Sequence, residues 1–353
     1  MKTKNHIGLM YFIVHFIIEI TSYYVAYSYV DDVQFMTFAF IYDMLAFIPE
    51  GVYGMLNDIG LKIHFGYIGM SIAGAALLML AFDVTPVIAI VTVAIGNGMI
   101  HVQGAQMTLR SSGGKMFPSA LFVAGGAFGV VTGRLLAAGG VPVVPVIMIH
   151  CFMIVPIILA DKQKELVVAG ELADYNYADE KAGRGIVIGI AVFIVMLRSY
   201  MGSVIPTSWN DDSVTLILLF SSMGLGKALG GYLIDRIGMM ATVFISTICS
   251  LPFLIFGDKL MVVSLIGLML FSMTMAVALG LLVSVMKGYP GLAFGLTTVG
   301  LFFGVFIEAF ISSDDLFINC VSLAVMTLIS YFALRLIVRK DPPRCHNRHD
   351  GDV

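Results

Sequence analysis

Glu19 lies about twelve residues into an apolar run that begins at Ile7, a depth of about 18 Å at 1.5 Å per helical residue, near the middle of a bilayer. An ionisable group at that depth costs about 2.5–3.5 kcal/mol on insertion scales, so it requires a compensating environment or a task. His15 and Tyr23 stand four residues before and after Glu19, on one face of a helix. Turned toward a central cavity, that stripe lets a desolvated Glu19 bind and release a proton. Turned toward a neighbouring helix, the His15–Glu19 pair only fixes packing.

Asp43 is similarly deep in its own run and can share the proton role, although its companions form no clear polar face. Asn97 and His101 are one turn apart in another run, where a histidine relays protons or bonds a substrate; an interhelical hydrogen bond serves them equally. Arg198 has Ser199 and Ser203 beside it and no carboxylate in its own span. Its partner must come from elsewhere: Glu19, Asp43 or an anionic substrate. Arg134 is nearer the outer surface and within snorkelling reach of water. If both arginines line a cavity, they favour carboxylate or phosphonate-like substrates through bidentate hydrogen bonds, with Tyr23 and Asn97 as further contacts. Glu50 and Lys227 fall near the ends of their runs, where snorkelling accounts for both.

The elements that position these groups follow from composition. Of 353 residues, 59% are hydrophobic and only 12% charged, and a mean hydropathy of +0.96 leaves too little polar surface to cover a water-soluble globule. Apolar stretches long enough to cross a bilayer core of about 30 Å follow one another with short polar breaks. They predict transmembrane helices over residues 7–29, 33–56, 61–82, 86–107, 117–138, 141–160, 185–206, 213–235, 239–257, 260–284, 290–311 and 315–338. The first run is too long for a secretory signal, contains His15 and Glu19, and has no small-residue cleavage site, so it is expected to be retained as a helix.

Alternate loops differ in charge. Lys2, Lys4, Lys62, Arg110, Lys115, Lys162, Lys164, Lys181, Arg184, Arg236, Lys287 and the basic residues from Arg335 to Arg348 fall on one side, whereas the other has Lys259 among Asp31, Asp32, Asp83, Asp211, Asp212, Asp258, Asp314 and Asp315. The positive-inside rule then puts both termini in the cytoplasm. Residues 161–184 mix both signs and divide six helices from six, giving an N-terminal bundle (1–160), a linker, a C-terminal bundle (185–338) and a tail (339–353) held near anionic lipid. Lys164 to Ala178 read as a short amphipathic surface helix or as a solvated linker.

One segment occurs twice. Gly54-Met55-Leu56-Asn57-Asp58-Ile59-Gly60 returns as Gly231-Tyr232-Leu233-Ile234-Asp235-Arg236-Ile237-Gly238, half the chain away and at the end of the second helix of each half; Arg110 and Lys287 share nearly the same offset. Repeats in register indicate duplicated architecture. Glycines let two helices turn tightly or approach, and a carboxylate there meets the N-terminal end of a neighbouring helix or a nearby arginine.

This motif resembles the loop signature of the major facilitator superfamily. The resemblance implies two six-helix bundles and gate residues at Gly54, Asp58, Gly231 and Asp235, with Arg110 and Arg236 as charge partners. Three further stretches resemble the fosmidomycin-resistance type of drug exporter: His15 to Glu19, His101-Val102-Gln103-Gly104 continuing to Arg110–Lys115, and Phe122 to Gly133. That branch usually has Asp at Glu19, His-Pro-Glu-Gly at His101 to Gly104, and Gly-Pro at Gly133-Arg134.

No nucleotide loop, metal-ligand spacing or nucleophile-base constellation is present in the sequence, so an enzyme, a cofactor and a metal are not expected. Cys151, Cys249 and Cys320 lie in apolar runs, and Cys345 with His346 and His349 lies in the tail; neither disulfides nor a metal site are inferred. The twenty-three methionines fill apolar gaps, and the dispersed basic residues give no support for nucleic-acid binding. The expectation is a monomeric, proton-coupled exporter of a small anionic or amphiphilic organic compound in the cytoplasmic membrane. Glu19, His15, Asp43 and His101 would carry protons, and Arg198, Arg134, Tyr23 and Asn97 substrate. An uptake symporter, or a transport-inactive receptor of the same fold, uses nearly the same residues.

Overall fold

The computed structural model describes residues 5–29, 32–60, 64–163 and 175–340. Its helices are α1 (Asn5–Ser28), α2 (Asp32–Phe47), α3 (Glu50–Asp58), α4 (Phe65–Ala81), α5 (Pro86–Ser111), α6 (Phe117–Ala138), α7 (Val143–Phe152), α8 (Ile154–Asp161), α9 (Arg184–Val204), α10 (Ser213–Ile237), α11 (Met239–Phe244), α12 (Ser250–Phe256), α13 (Met261–Ser272), α14 (Thr274–Val285), α15 (Pro290–Glu308) and α16 (Leu316–Ile337). A single π-helical turn, Ile245–Cys249, joins α11 to α12. Eleven continuous or end-to-end stretches are long and apolar enough to cross a membrane, and α4 is a shorter twelfth.

The predicted spans therefore reappear, with breaks that hydrophobicity does not disclose. Pro49 interrupts the second span between α2 and α3, because proline supplies no N–H to the preceding turn. Pro156 lies just after the α7/α8 break, and Pro252 just after the π turn, each removing the same bond. The break at Met273 has no such cause in the sequence. Helix starts are locally encoded: Pro86 and Pro290 occupy the first turns of α5 and α15, where the missing N–H costs nothing. Asp212 caps α10 by accepting the Thr215 N–H at 2.7 Å. That bond and the Thr215 hydroxyl hold its carboxyl below the ordinary range.

α1 packs along α6 and α5, and α4 along α5. The main contacts between opposite halves of the sequence are α6 with α10 and α3 with α15; α15 also touches α5 and α2. Glycines set these approaches. A Cβ on Gly54 would run into the Gly291 carbonyl, and one on Gly231 into Ala120.

The described end of the segment after α8 differs from both expectations for it. Residues 164–174 lie outside the described residues. Tyr175–Ala178 form neither a surface helix nor a solvated linker: Tyr175 is buried, its hydroxyl donating to Leu109 O at 2.7 Å. Tyr177 donates its hydroxyl to Gly114 O at 3.0 Å and its N–H to Ser284 Oγ at 3.1 Å. Ala178 bridges antiparallel to Val338. An aromatic side chain that can bury its ring and bond its hydroxyl gains more inside than in water. The tail beyond Lys340, with Cys345, His346 and His349, lies outside the described residues, as do Lys2, Lys4, Asp31, Lys62 and Lys164.

Candidate functional site: a buried histidine–carboxylate cluster beside a central cavity

α1 and α5 cross so that His15, Glu19 and His101 converge, with ring centroids of the two histidines 4.5 Å apart and edge-on. His101 Nε2 lies 2.9 Å from Glu19 Oε1, and its Nδ1 lies 2.8 Å from Glu50 Oε1. A neutral imidazole has a single N–H. Nδ1 is hydrogen-bonded to Glu50, whereas Nε2 meets Glu19 at ion-pair distance but outside hydrogen-bond geometry; a ring flanked by two carboxylates favours a second labile proton, held as imidazolium or by one carboxyl group. The arrangement is a short proton-storing chain, Glu19–His101–Glu50.

His15 completes it from the side. Its Nδ1 is 2.8 Å from the Phe122 carbonyl oxygen, which can only accept, so Nδ1 carries the hydrogen. The free Nε2 faces Glu19 Oε1 at 3.6 Å, too long for a hydrogen bond but close enough for an ion pair once His15 is protonated. Gly126 makes room for this ring, since a Cβ there would sit 2.5 Å from Nε2. Asn97 is fully buried behind Glu19, donating to Glu19 Oε1 at 3.2 Å and to Ser22 Oγ at 2.9 Å. It positions the carboxylate and does not line the cavity.

His15, Glu19 and His101 form one wall of a central cavity lined from both halves of the sequence. α1, α2, α5 and α6 contribute His15, Glu19, Tyr23, Tyr42, Phe47 and His101, among others; α10, α14 and α15 contribute Phe220, Met223, Lys227, Met275, Phe294, Thr297 and Thr298. Of the described lysines and arginines, Lys227 is the one that lines it. The lining is thus largely aromatic and aliphatic, with the Glu19 carboxylate on one wall and the Lys227 ammonium on the other.

Of the residues singled out in the sequence, His15, Glu19, Tyr23 and His101 are brought together here. Asp43 is part-exposed on α2, outside the hydrogen-bonded cluster. Arg134 lies over the Tyr27 ring at 4.8 Å and does not line the cavity. Arg198 is 7% exposed and occupies a separate small space, packed on Phe271 at 5.3 Å. Snorkelling does not describe Glu50: it is 0% exposed, because the break at Pro49 turns the start of α3 inward against His101. Lys227 likewise points into the cavity. The signal for both was the repeat itself, which puts a charge at matching positions eight residues before Asp58 and Asp235.

The repeated motif closes one face of the protein. Asp58 accepts the N–H groups of Gly291 and Leu292, in the first turn of α15, at 3.1 and 2.8 Å. Asp235 accepts those of Met116 and Phe117, at the start of α6, at 2.8 and 2.9 Å. Each carboxylate thus meets the positive end of a helix from the other half of the sequence. The hydrogen-bonded partners are these amides and Gln106, whose Nε2 is 3.3 Å from Asp58 Oδ1, while Arg110 acts on Asp58 through its charge; Arg236 lies over the Tyr232 ring at 5.4 Å. Tyr175 and Tyr177 pack at the same face.

No protein-family model and no curated protein sequence matches the chain. Solved structures match it over nearly its whole length. The E. coli fucose:proton symporter FucP is 12% identical with a TM-score of 0.59, covering 94% of this chain and 97% of its own. The human organic anion transporter MFSD10 (TETRAN) is 12% identical with a TM-score of 0.64, over 94% and 99%. A bacterial homologue of the iron transporter ferroportin, in an outward-facing state, is 12% identical with a TM-score of 0.60, over 95% and 99%. The chain is a multi-pass helical membrane protein with the fold of the major facilitator transporters.

Proposed function

We propose that the protein is a secondary transporter that moves a small anionic or amphiphilic organic compound by alternating access, coupled to protons at the Glu19–His101–Glu50 chain. The observation that carries this reading is that His15, Glu19 and His101 line the cavity while His101 also meets the buried Glu50, a set of groups able to hold and pass a proton. A carboxylate chain held away from water persists only where its protons and charges are managed, which is what coupling requires. The apolar lining suits a substrate with an aromatic or aliphatic body, and Lys227 suits an anionic end. Substrate at Lys227 and protons at the acidic wall occupy one cavity, so each alters the affinity for the other.

In this reading residues 1–160 and 185–338 are two six-helix bundles that rock about the cavity, with both termini in the cytoplasm of a cytoplasmic-membrane monomer. The two Asp–amide clamps hold the cytoplasmic face shut and break when it opens. Resemblance to the exporter branch favours efflux; an uptake symporter would differ in the direction of the same steps. The test is proton flux in liposomes holding a pH-sensitive dye, screened with small organic anions. Substrate-driven flux that Glu19→Gln abolishes supports the reading; equal flux in wild type and Glu19→Gln removes Glu19 from coupling.

A second reading rests on the donor geometry. One ligand atom from each of His15, Glu19 and His101 lies within 4.8 Å of the others, as a divalent transition-metal ion needs. Both Nδ1 atoms are already oriented by an oxygen acceptor, the usual support for an Nε2 ligand. The cargo is then the metal, displacing protons as it binds. Saturable zinc or manganese binding to wild type, lost in His15→Gln, would favour it over the organic substrate.

A further inference from the structure

Arg198 projects into a narrow space, with room for about one water or monatomic ion, within the second half of the sequence and apart from the central cavity. No carboxylate forms an ion pair with it among the described residues. Among the described residues its one side-chain hydrogen bond is a long one, from Nη2 to Ser272 Oγ at 3.5 Å, and its Nε has no partner. A guanidinium presents five N–H donors and carries a full charge, so this one is both under-bonded and uncompensated.

A second orphan faces the same space. Thr327 is 2% exposed and its hydroxyl has no partner. Helical threonines elsewhere in the protein behave differently: Thr21, Thr108, Thr132, Thr242 and Thr247 each donate to the carbonyl four residues back. The Thr327 hydroxyl is left free to donate elsewhere. The π turn Ile245–Cys249 borders the space through Ser246 and Thr247, and such turns recur at functional sites.

We infer that Arg198 and Thr327 bind a small inorganic anion of the size and charge of chloride, at a site distinct from the transport cavity. Arg198 Nε and the Thr327 hydroxyl donate to it, and the ion neutralises the guanidinium that no protein carboxylate balances. The aliphatic and aromatic wall of Ile194, Met201 and Phe271 favours a weakly hydrated halide over a strongly hydrated divalent oxyanion. A water could take both hydrogen bonds but would leave the charge uncompensated.

The test uses the full-length purified protein in detergent, melted in sodium chloride and in sodium gluconate at equal ionic strength. Saturable chloride binding to the folded state raises the melting temperature of wild type by about 2 °C or more. The shift disappears in Arg198→Met and shrinks in Thr327→Val, a near-isosteric change that keeps the fold. Crystals grown in bromide add a readout independent of any variant: an anomalous peak between Arg198 Nε and Thr327 Oγ1. Equal melting of wild type in the two salts, a chloride shift that survives in both variants, or the absence of the bromide peak would overturn the proposal in favour of water alone.

Discussion

Glu50 and His101 are 2.8 Å apart, carboxylate to Nδ1, although 51 residues and a helix break separate them in the chain. The contact makes His101 the middle of a three-group chain instead of one end of a pair with Glu19. It also ties α3, which carries the Asp58 clamp, to the buried cluster. A change of protonation at His101 therefore bears directly on the helix whose far end closes the face eight residues later.

Glu50→Gln keeps an acceptor for the His101 Nδ1–H and removes the charge. Substrate-driven proton flux should fall at least about tenfold, the equivalent of about 1.4 kcal/mol, while the protein stays folded. Flux in liposomes and a melting curve on the same preparation check this; unchanged flux would make Glu50 a packing residue.

Asp58→Asn and Asp235→Asn each leave two helix-end amides facing a neutral oxygen. A charged acceptor contributes about 1.5–3 kcal/mol, so each variant should shift the conformational equilibrium toward opening, and the double variant further. The measurement is alkylation of Ala276→Cys, a buried position beside Lys227, in a background without other cysteines. Faster labelling is expected in both single variants.

Gly54→Ala and Gly231→Ala reach the same outcome by volume, since the added methyl groups meet the Gly291 carbonyl and Ala120. The helices must separate at these crossings, so labelling of Ala276→Cys should rise even with both aspartates intact. The same labelling rates as wild type would show that the crossings yield without opening the face.

Tyr177→Phe removes the bond to Gly114 O and leaves the ring in place. The loss should be about 1 kcal/mol, read as a lower melting temperature and quicker proteolysis of the segment between the two halves. A variant as resistant as wild type would mean that ring burial alone holds the segment.

The sequence by itself determined the membrane as solvent, the number and near-boundaries of the apolar spans, and the repeated segment that ends in Asp58 and Asp235. Each rests on local chemistry: a backbone in lipid must satisfy its own hydrogen bonds, and the helix that does so has a length set by bilayer thickness. The stripe of His15, Glu19 and Tyr23 was legible for the same reason, since helical spacing fixes what shares a face.

Only the tertiary structure decided which polar groups meet. Hydropathy gives Glu50 and Lys227 the same position as any charge near a helix end, and only the break at Pro49 and the approach of α5 turn Glu50 inward. The partners of Asp58 and Asp235 are backbone amides, which every residue but proline carries and which no side-chain pattern reveals. Arg134 and Arg198 were both expected to meet substrate, yet one rests on Tyr27 and the other is enclosed beside Phe271. Helix rotation and crossing, set by glycine contacts between spans far apart in sequence, fix those differences.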